Sequence, residues 1–188
     1  MTDEELLVYF GGQGLVPSGK HDVILEYAKR FRCTTFIETG TENGDTVEAV
    51  RPAFSELYSI ELGPNYYLGA ARRFAGHSNV HLMCGDSGEL LYAFLPGIRG
   101  QRILFYLDAH WKYDAIKPKK SNPTFEELDA IFSFAPNNVI LIDDARTFTG
   151  LNKQGHSCPR LDELEAYVKT RDSRLTFEIK NDIIRIHL

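Results

Sequence analysis

Five short apolar runs, separated by stretches of helical periodicity, constrain the fold of this chain more than any other feature. The runs are Thr34 to Ile37, Leu57 to Ile60, Val80 to Met83, Ile103 to Leu107 and Val139 to Ile142. Each is rich in β-branched or aromatic residues and lacks a polar alternation, which is the pattern of strands buried on both faces. Between them the apolar positions recur every three or four residues. Val47, Val50 and Phe54 share one helical face, Tyr66, Ala70 and Phe74 another, and Leu90, Leu91, Phe94 and Leu95 a third. Thr124-Phe-Glu-Glu127 reads as a capping box opening a helix over Leu128, Ile131 and Phe132. A further helix with Val23, Ile24, Tyr27, Ala28 and Phe31 on one face precedes the first strand. Strands that alternate with helices need crossover connections, so the sheet is parallel and covered on both faces.

The end of the chain differs. Pro159 suits the first turn of a helix running to about Arg171. Leu175 to Ile179 and Ile183 to His187 then form an antiparallel hairpin across the short Asn181-Asp182 turn. The expected fold is α/β and Rossmann-like: about seven strands, mostly parallel, with a C-terminal antiparallel hairpin and helices on both faces. Residues 1–33 read as an N-terminal helical segment and 34–188 as the α/β domain, a single domain overall. The length of 188 residues fits that reading; such a chain buries roughly 70% of its unfolded surface.

Composition excludes some classes. No apolar run approaches the ~18 residues of a membrane span. Met1 to Glu5 is acidic and unlike the basic start of a secretory signal. Cys33, Cys84 and Cys158 form an odd set without paired spacing, which suits a reducing, cytoplasmic setting rather than a disulfide framework. Cys84, at the end of an apolar stretch, reads as a buried small residue, and His156 with Cys158 lacks the second pair a zinc site needs. A net charge of −5 argues against general nucleic-acid binding.

In open parallel sheets ligands bind beyond the carboxyl ends of the strands, so the loops there carry the chemistry. After the first strand comes Glu38-Thr-Gly40-Thr-Glu-Asn-Gly44-Asp-Thr46, a glycine turn into a helix that does not match GxGxxG. Glu61 ends the second strand, where an acid can accept from ribose hydroxyls. Gly85-Asp86-Ser87 follows the third strand; Asp86 can accept from an adenine amino group or cap the next helix. Asp108-Ala-His110-Trp-Lys112 follows the fourth strand and Asp143-Asp144-Ala-Arg146 the fifth. Adjacent parallel strands about 4.8 Å apart bring three aspartates together. Such a cluster needs neutralising, by a divalent ion such as Mg²⁺ or by Arg146 as a salt-bridge partner.

Together these segments resemble class I S-adenosylmethionine-dependent methyltransferases, in particular the cation-dependent catechol and caffeoyl-CoA O-methyltransferases. Glu38 to Thr46 is similar to their ExGxxxGxS motif, and Leu57-Tyr-Ser-Ile-Glu61 to their second-strand acid. Gly85-Asp86-Ser87 resembles the adenine-contact segment, Leu107-Asp108-Ala-His-Trp-Lys112 an LDHWK-like stretch with one inserted residue, and Ile142-Asp143-Asp144 the metal pair. The resemblance covers roughly Thr34 to Arg146. It implies S-adenosylmethionine as cofactor. Gly40 and Gly44 would lie against its methionine part, Glu38 would orient the loop or contact the amino group, and Thr46 belongs to the same motif. Glu61 would hold the ribose, and Asp86 with Ser87 the adenine. It implies Asp108, Asp143 and Asp144 as ligands of a divalent ion, Mg²⁺ first, that favours the deprotonated acceptor oxygen. Asp108 belongs to the catalytic set with His110 and Lys112, either of which can be the general base.

Trp111, Tyr113 and Phe148 sit in loops expected to line the site. Two loops, Lys112 to Pro123 with Lys117, Lys119 and Lys120, and Thr147 to Ser157, are expected on the acceptor side. The expected partner is a small hydroxylated molecule, sugar- or phenol-like or anionic, with no nucleic acid and no membrane; a homo-oligomer is compatible. Two alternatives stand. Gly14-Leu-Val-Pro-Ser-Gly19-Lys20-His21 nearly matches a phosphate-binding loop, so a P-loop-like nucleotide hydrolase is one. There His21 stands where a hydroxyl is needed and Pro17 removes a backbone donor. A non-catalytic cofactor- or partner-binding module of the same fold is the other.

Overall fold

The computed structural model describes residues 19–98, 102–109, 122–136, 138–151 and 157–188. Helix α1 (Gly19–Phe31) leads into β1 (Thr35–Thr39), followed by α2 (Asp45–Val50), β2 (Glu56–Glu61), α3 (Pro64–Arg73), β3 (Val80–Cys84), α4 (Ser87–Phe94) and β4 (Ile103–Leu107). Then come α5 (Thr124–Phe134), β5 (Val139–Ile142), β6 (Thr149–Leu151), β7 (Ser157–Arg160), α6 (Leu161–Arg171), β8 (Thr176–Lys180) and β9 (Ile183–His187).

The main sheet has seven strands in the order β3-β2-β1-β4-β5-β9-β8. All neighbours are parallel except β5 with β9 and β9 with β8. Central β1 and β4 are buried at every position, as continuous apolar runs require. Successive side chains on a strand point to opposite faces, and the core divides accordingly. Phe36, Leu57, Leu104, Tyr106 and Leu141 pack with α1, α2 and α3 on one face. Ile37, Phe105, Leu107, Ile140 and Ile142 pack with α4, α5 and α6 on the other. Truncating a side chain such as Phe105, fully buried between strand neighbours, costs about 3–5 kcal/mol.

The expected seven-stranded architecture is present, with corrections in detail. Phe54 leaves the helical face assigned to it because Pro52 sits in a 3-10 turn (Arg51–Ala53) after α2, and Phe54 is extended. Pro159 lies in β7, and α6 starts at Leu161 behind Arg160, whose backbone N–H donates to Glu163. The two-stranded β6-β7 ribbon was not expected. Thr124 forms no capping box: it is the first helical residue after Pro123, and its backbone N–H donates to Asn122 Oδ1 at 3.0 Å. Cys84 is exposed rather than buried, since it ends β3 on the sheet edge. Among the described residues, no helix is long and apolar enough to cross a membrane.

Candidate functional site

Strand order reverses between β1 and β4, and the carboxyl ends of the parallel strands open a crevice there. Backbone hydrogen bonds stitch its rim. Gly40 N–H donates to Ile60 O (2.8 Å), Asp108 N–H to Thr39 O (2.9 Å), Gly85 N–H to Glu61 O (2.9 Å) and Asp143 N–H to Leu107 O (3.0 Å). Gly40 has φ +90°, and a Cβ there would sit 2.8 Å from the Asp108 carbonyl carbon. Only glycine permits that approach of the two loops at the switch point. Gly44 has φ +78°, and its Cβ would meet the Phe74 ring at 2.5 Å, so this glycine is needed for helix packing as well.

Behind the glycine turn lies a buried polar chain. Glu38 and Ser59 are register partners on β1 and β2. Ser59 Oγ donates to Glu38 Oε2 at 2.6 Å, which leaves Thr41 Oγ1, 2.5 Å from Ser59 Oγ, as the donor to Ser59. Burial lifts the Glu38 carboxyl to about 7, while Ser59, Lys20 and the Thr46 hydroxyl pull it the other way. Glu38 thus lies buried beneath the loop, with Thr46 buried in the first turn of α2.

Glu61 ends β2 and ties down the rim. Its Oε2 accepts from Glu42 N–H (2.8 Å) and its Oε1 from Gly63 N–H (2.7 Å). Burial raises its pKa against backbone donors at Gly63, Leu62 and Thr41. Asp86 caps α4, accepting from Glu89 N–H at 3.3 Å; of its two readings, this capping role is present in the structure. Ser87 is buried and donates to Glu127 Oε1 at 2.5 Å. Glu127 is fully buried, and burial lifts it to about 7 against Ser87 and, more weakly, Thr39. The Thr39 hydroxyl does not reach hydrogen-bond geometry with it, and Glu127 Oε2 has no hydrogen-bond partner among the described residues.

The aspartates arrive as the adjacent parallel strands demand; Arg146 pairs with Asp144, as one of the two expected readings had it, whereas the lysine facing Asp108 and Asp143 was not expected. Lys20 Nζ, in the first turn of α1, lies 3.4 Å from Asp143 Oδ2 and 3.6 Å from Asp108 Oδ2. Tyr106 OH donates to Asp143 Oδ2 at 2.5 Å, and Asp144 N–H donates to Asp143 Oδ1 at 2.9 Å. Burial pushes Asp108 upward, the neighbouring Asp143 charge adds to this, and Lys20 opposes it. Burial pulls Lys20 down, but Asp108 and Asp143 outweigh it and the net shift is upward, so the side chain is an ammonium at neutral pH. Asp144 is engaged elsewhere: its backbone is left-handed (φ 54°) and its carboxylate pairs with Arg146 Nη1 at 2.8 Å. Arg146 also pairs with Asp182 in the β8–β9 turn, whose Oδ1 accepts from Arg146 N–H at 2.9 Å.

A divalent ion needs several oxygens converging at short range. Of the three expected ligands, Asp108 and Asp143 face a lysine ammonium, and Asp144 is held by Arg146. Among the described residues no group of three or more His, Cys, Asp or Glu side chains could hold a metal. The described donor set does not fit Mg²⁺.

His110, Lys112, Trp111, Tyr113, Lys117, Lys119 and Lys120 lie outside the described residues. Phe148 is 1% exposed and packs in the core. Cys158 Sγ donates to Thr147 O at 3.2 Å; His156 lies outside the described residues. Sequence reasoning missed Lys20 as a site residue. Its position carried a signal: Lys20 stands three and four residues before Val23 and Ile24, on the buried stripe of α1. A lysine on that stripe points inward and must find acids.

The sheet order, the antiparallel last pair and the glycine turn at the switch point define the fold of class I S-adenosylmethionine-dependent methyltransferases. Solved structures with this fold match nearly the whole chain. The O-methyltransferase from Bacillus cereus, in complex with S-adenosylhomocysteine, is 13% identical, with 99% of this chain and 90% of that chain covered and a TM-score of 0.63. The O-methyltransferase TomG from Streptomyces achromogenes, involved in tomaymycin synthesis and in complex with S-adenosylmethionine, is 15% identical (98% and 86% covered, TM-score 0.62). The N-methyltransferase NodS from Bradyrhizobium japonicum is 13% identical (90% and 94% covered, TM-score 0.59). No family model and no curated protein matches the sequence. The nucleotide-hydrolase alternative is set aside: the fold is the methyltransferase one, and Lys20 of the loop-like segment turns to the aspartates of β4 and β5.

Proposed function

We propose that this chain is an S-adenosylmethionine-dependent methyltransferase acting on a hydroxyl of a small molecule. The observation that carries the reading is Glu61, fixed by two backbone donors at the carboxyl end of β2 beside the Gly40 turn. A carboxylate offers about four acceptor positions, so two backbone bonds leave capacity for ribose hydroxyls. The likeness in fold to proteins solved with S-adenosylmethionine or S-adenosylhomocysteine supports the choice of cofactor. O-methyltransferases among these neighbours favour oxygen as the acceptor atom.

When bound, the cofactor supplies an electrophilic methyl group, and little covalent chemistry is left to the protein. Gly40 and Gly44 let the backbone approach the methionine part, and Glu38 braces that turn from below. Asp86 and Ser87, at the start of α4, hold the adenine side. Asp108, Asp143 and Lys20 form the polar wall facing the acceptor and align its oxygen. His110 is assigned as the group that takes the acceptor's proton, with Lys112 second. No step is routed through a divalent ion.

Calorimetric titration of S-adenosylhomocysteine tests the cofactor. Micromolar binding is expected for the unaltered chain, weakened roughly 10- to 100-fold by Glu61→Ala, the scale of lost hydrogen bonds to a charged group. Absence of binding to a folded sample sinks the reading. Methyl transfer from labelled cofactor to a panel of sugars, phenols and anionic hydroxyl compounds then identifies the acceptor, and His110→Ala should abolish that transfer without changing the titration.

A further inference from the structure

An acidic pair at the ends of β4 and β5 is where the resemblance to cation-dependent enzymes implies a metal. Lys20 instead reaches this pair from α1, a segment that the resemblance does not cover. Its ammonium lies within 3.6 Å of both carboxylates, while Tyr106 OH takes a further position on Asp143. A cation placed between Asp108 and Asp143 would have to displace that ammonium or sit beside it. Like charges at such range repel strongly in a half-buried setting. The third expected ligand, Asp144, is turned into a separate ion-pair network with Arg146 and Asp182.

We propose that Lys20 is the built-in cation of this site, neutralising Asp108 and Asp143 in place of a divalent metal and presenting a hydrogen-bond donor to the acceptor. An ammonium carries three donors; among the described residues one bonds Asp143 and the contact to Asp108 is an ion pair at 3.6 Å, so donor capacity is left for a bound oxygen. Unlike a metal, the lysine cannot exchange with solvent, and the site needs no ion. Only the role toward an acceptor rests on the methyl-transfer reading; the exclusion of metal does not.

The test is Mn²⁺ binding to the full-length chain, followed by loss of the free-ion electron paramagnetic resonance signal. The unaltered chain should leave millimolar Mn²⁺ free. Lys20→Ala, and Lys20→Met as the variant that keeps the buried stem, should each gain at least roughly tenfold in Mn²⁺ affinity, because they remove the ammonium that faces both acids. Adding Asp143→Asn to either should remove the gain. Micromolar Mn²⁺ binding by the unaltered chain overturns the proposal. So does a Lys20 variant, folded by circular dichroism, that gains no affinity. Titration of S-adenosylhomocysteine in parallel separates the two readings: its failure removes the methyltransferase assignment and leaves the Mn²⁺ result standing.

Discussion

Tyr106 lies on β4 and Asp143 directly past the end of the neighbouring parallel β5, and the Tyr106 hydroxyl donates to Asp143 Oδ2 at 2.5 Å from a fully buried ring. The bond fixes the carboxylate that also faces Lys20. Burial, and then the Asp143 charge, hold the phenol well above its usual pKa, so it stays a donor across the working range. Tyr106→Phe should cost about 1.5–3 kcal/mol, as for a lost hydrogen bond to a charged group. In a chain of this size thermal unfolding would read that as a fall on the order of 5 °C. An unchanged midpoint would show that Asp143 does not depend on the tyrosine.

Gly40→Ala places a methyl against the Asp108 carbonyl at a φ of +90°. The strain of a left-handed residue adds to the clash, and a loss of at least about 1–3 kcal/mol is expected. Because the clash opens the β1–β4 switch point, S-adenosylhomocysteine affinity should fall by more than stability does. Circular dichroism melts and calorimetry on the same sample compare the two.

Stability should fall as pH rises from about 4.5 toward 7. Glu38 and Glu127 are both lifted to about 7 by burial, whereas the same groups in the unfolded chain titrate near 4.5. In that window the unfolded state has released protons that the folded state keeps, so the slope is negative; Asp108, raised to about 8, carries it past 7 before it levels off. Glu127→Gln removes one of the two groups and keeps an acceptor for Ser87. It should flatten the profile and raise stability at pH 8 by on the order of 1–3 kcal/mol. Urea melts at pH 5 and pH 8 measure this, and an unchanged pH dependence would mean that Glu127 is charged in the fold.

Asp182→Ala removes both contacts to Arg146 from a position with a left-handed backbone (φ 62°). The expected loss is about 2–4 kcal/mol, from the charged hydrogen bonds and the backbone strain together. Asp182→Gly should recover only the backbone share. Equal destabilisation by the two variants would place the whole effect in the side chain.

The sequence showed the sheet more clearly than the site. Ile103 to Leu107 and Val139 to Ile142 were legible because a central parallel strand must be apolar on both faces, and the structure places both within those bounds. The positions of Glu61 and Gly40 were legible as strand ends, and the structure has Glu61 at the end of β2 and Gly40 just past β1. The salt bridge of Arg146 was legible as an alternative, but the partner of Asp108 and Asp143 was not. Lys20 is separated from Asp143 by 123 positions, and local periodicity shows that a side chain points inward without showing what it meets. Thr124 to Glu127 misled in the opposite way: the residues of a capping box were present, but Ser87 recruited Glu127 into the interior.

Helix α1 joins the sheet by packing one face, with Val23, Ile24, Tyr27 and Ala28 buried, and carries Lys20 in its first turn. Local opening of α1 alone would withdraw the ammonium from Asp108 and Asp143 while the rim formed by Gly40, Glu61 and Gly85 stayed paired. Regions of a protein open with separate free energies, so the two halves of the crevice have separate lifetimes. Amide exchange in α1 would then report how often the acidic pair is left without its lysine, a quantity that cofactor affinity does not register.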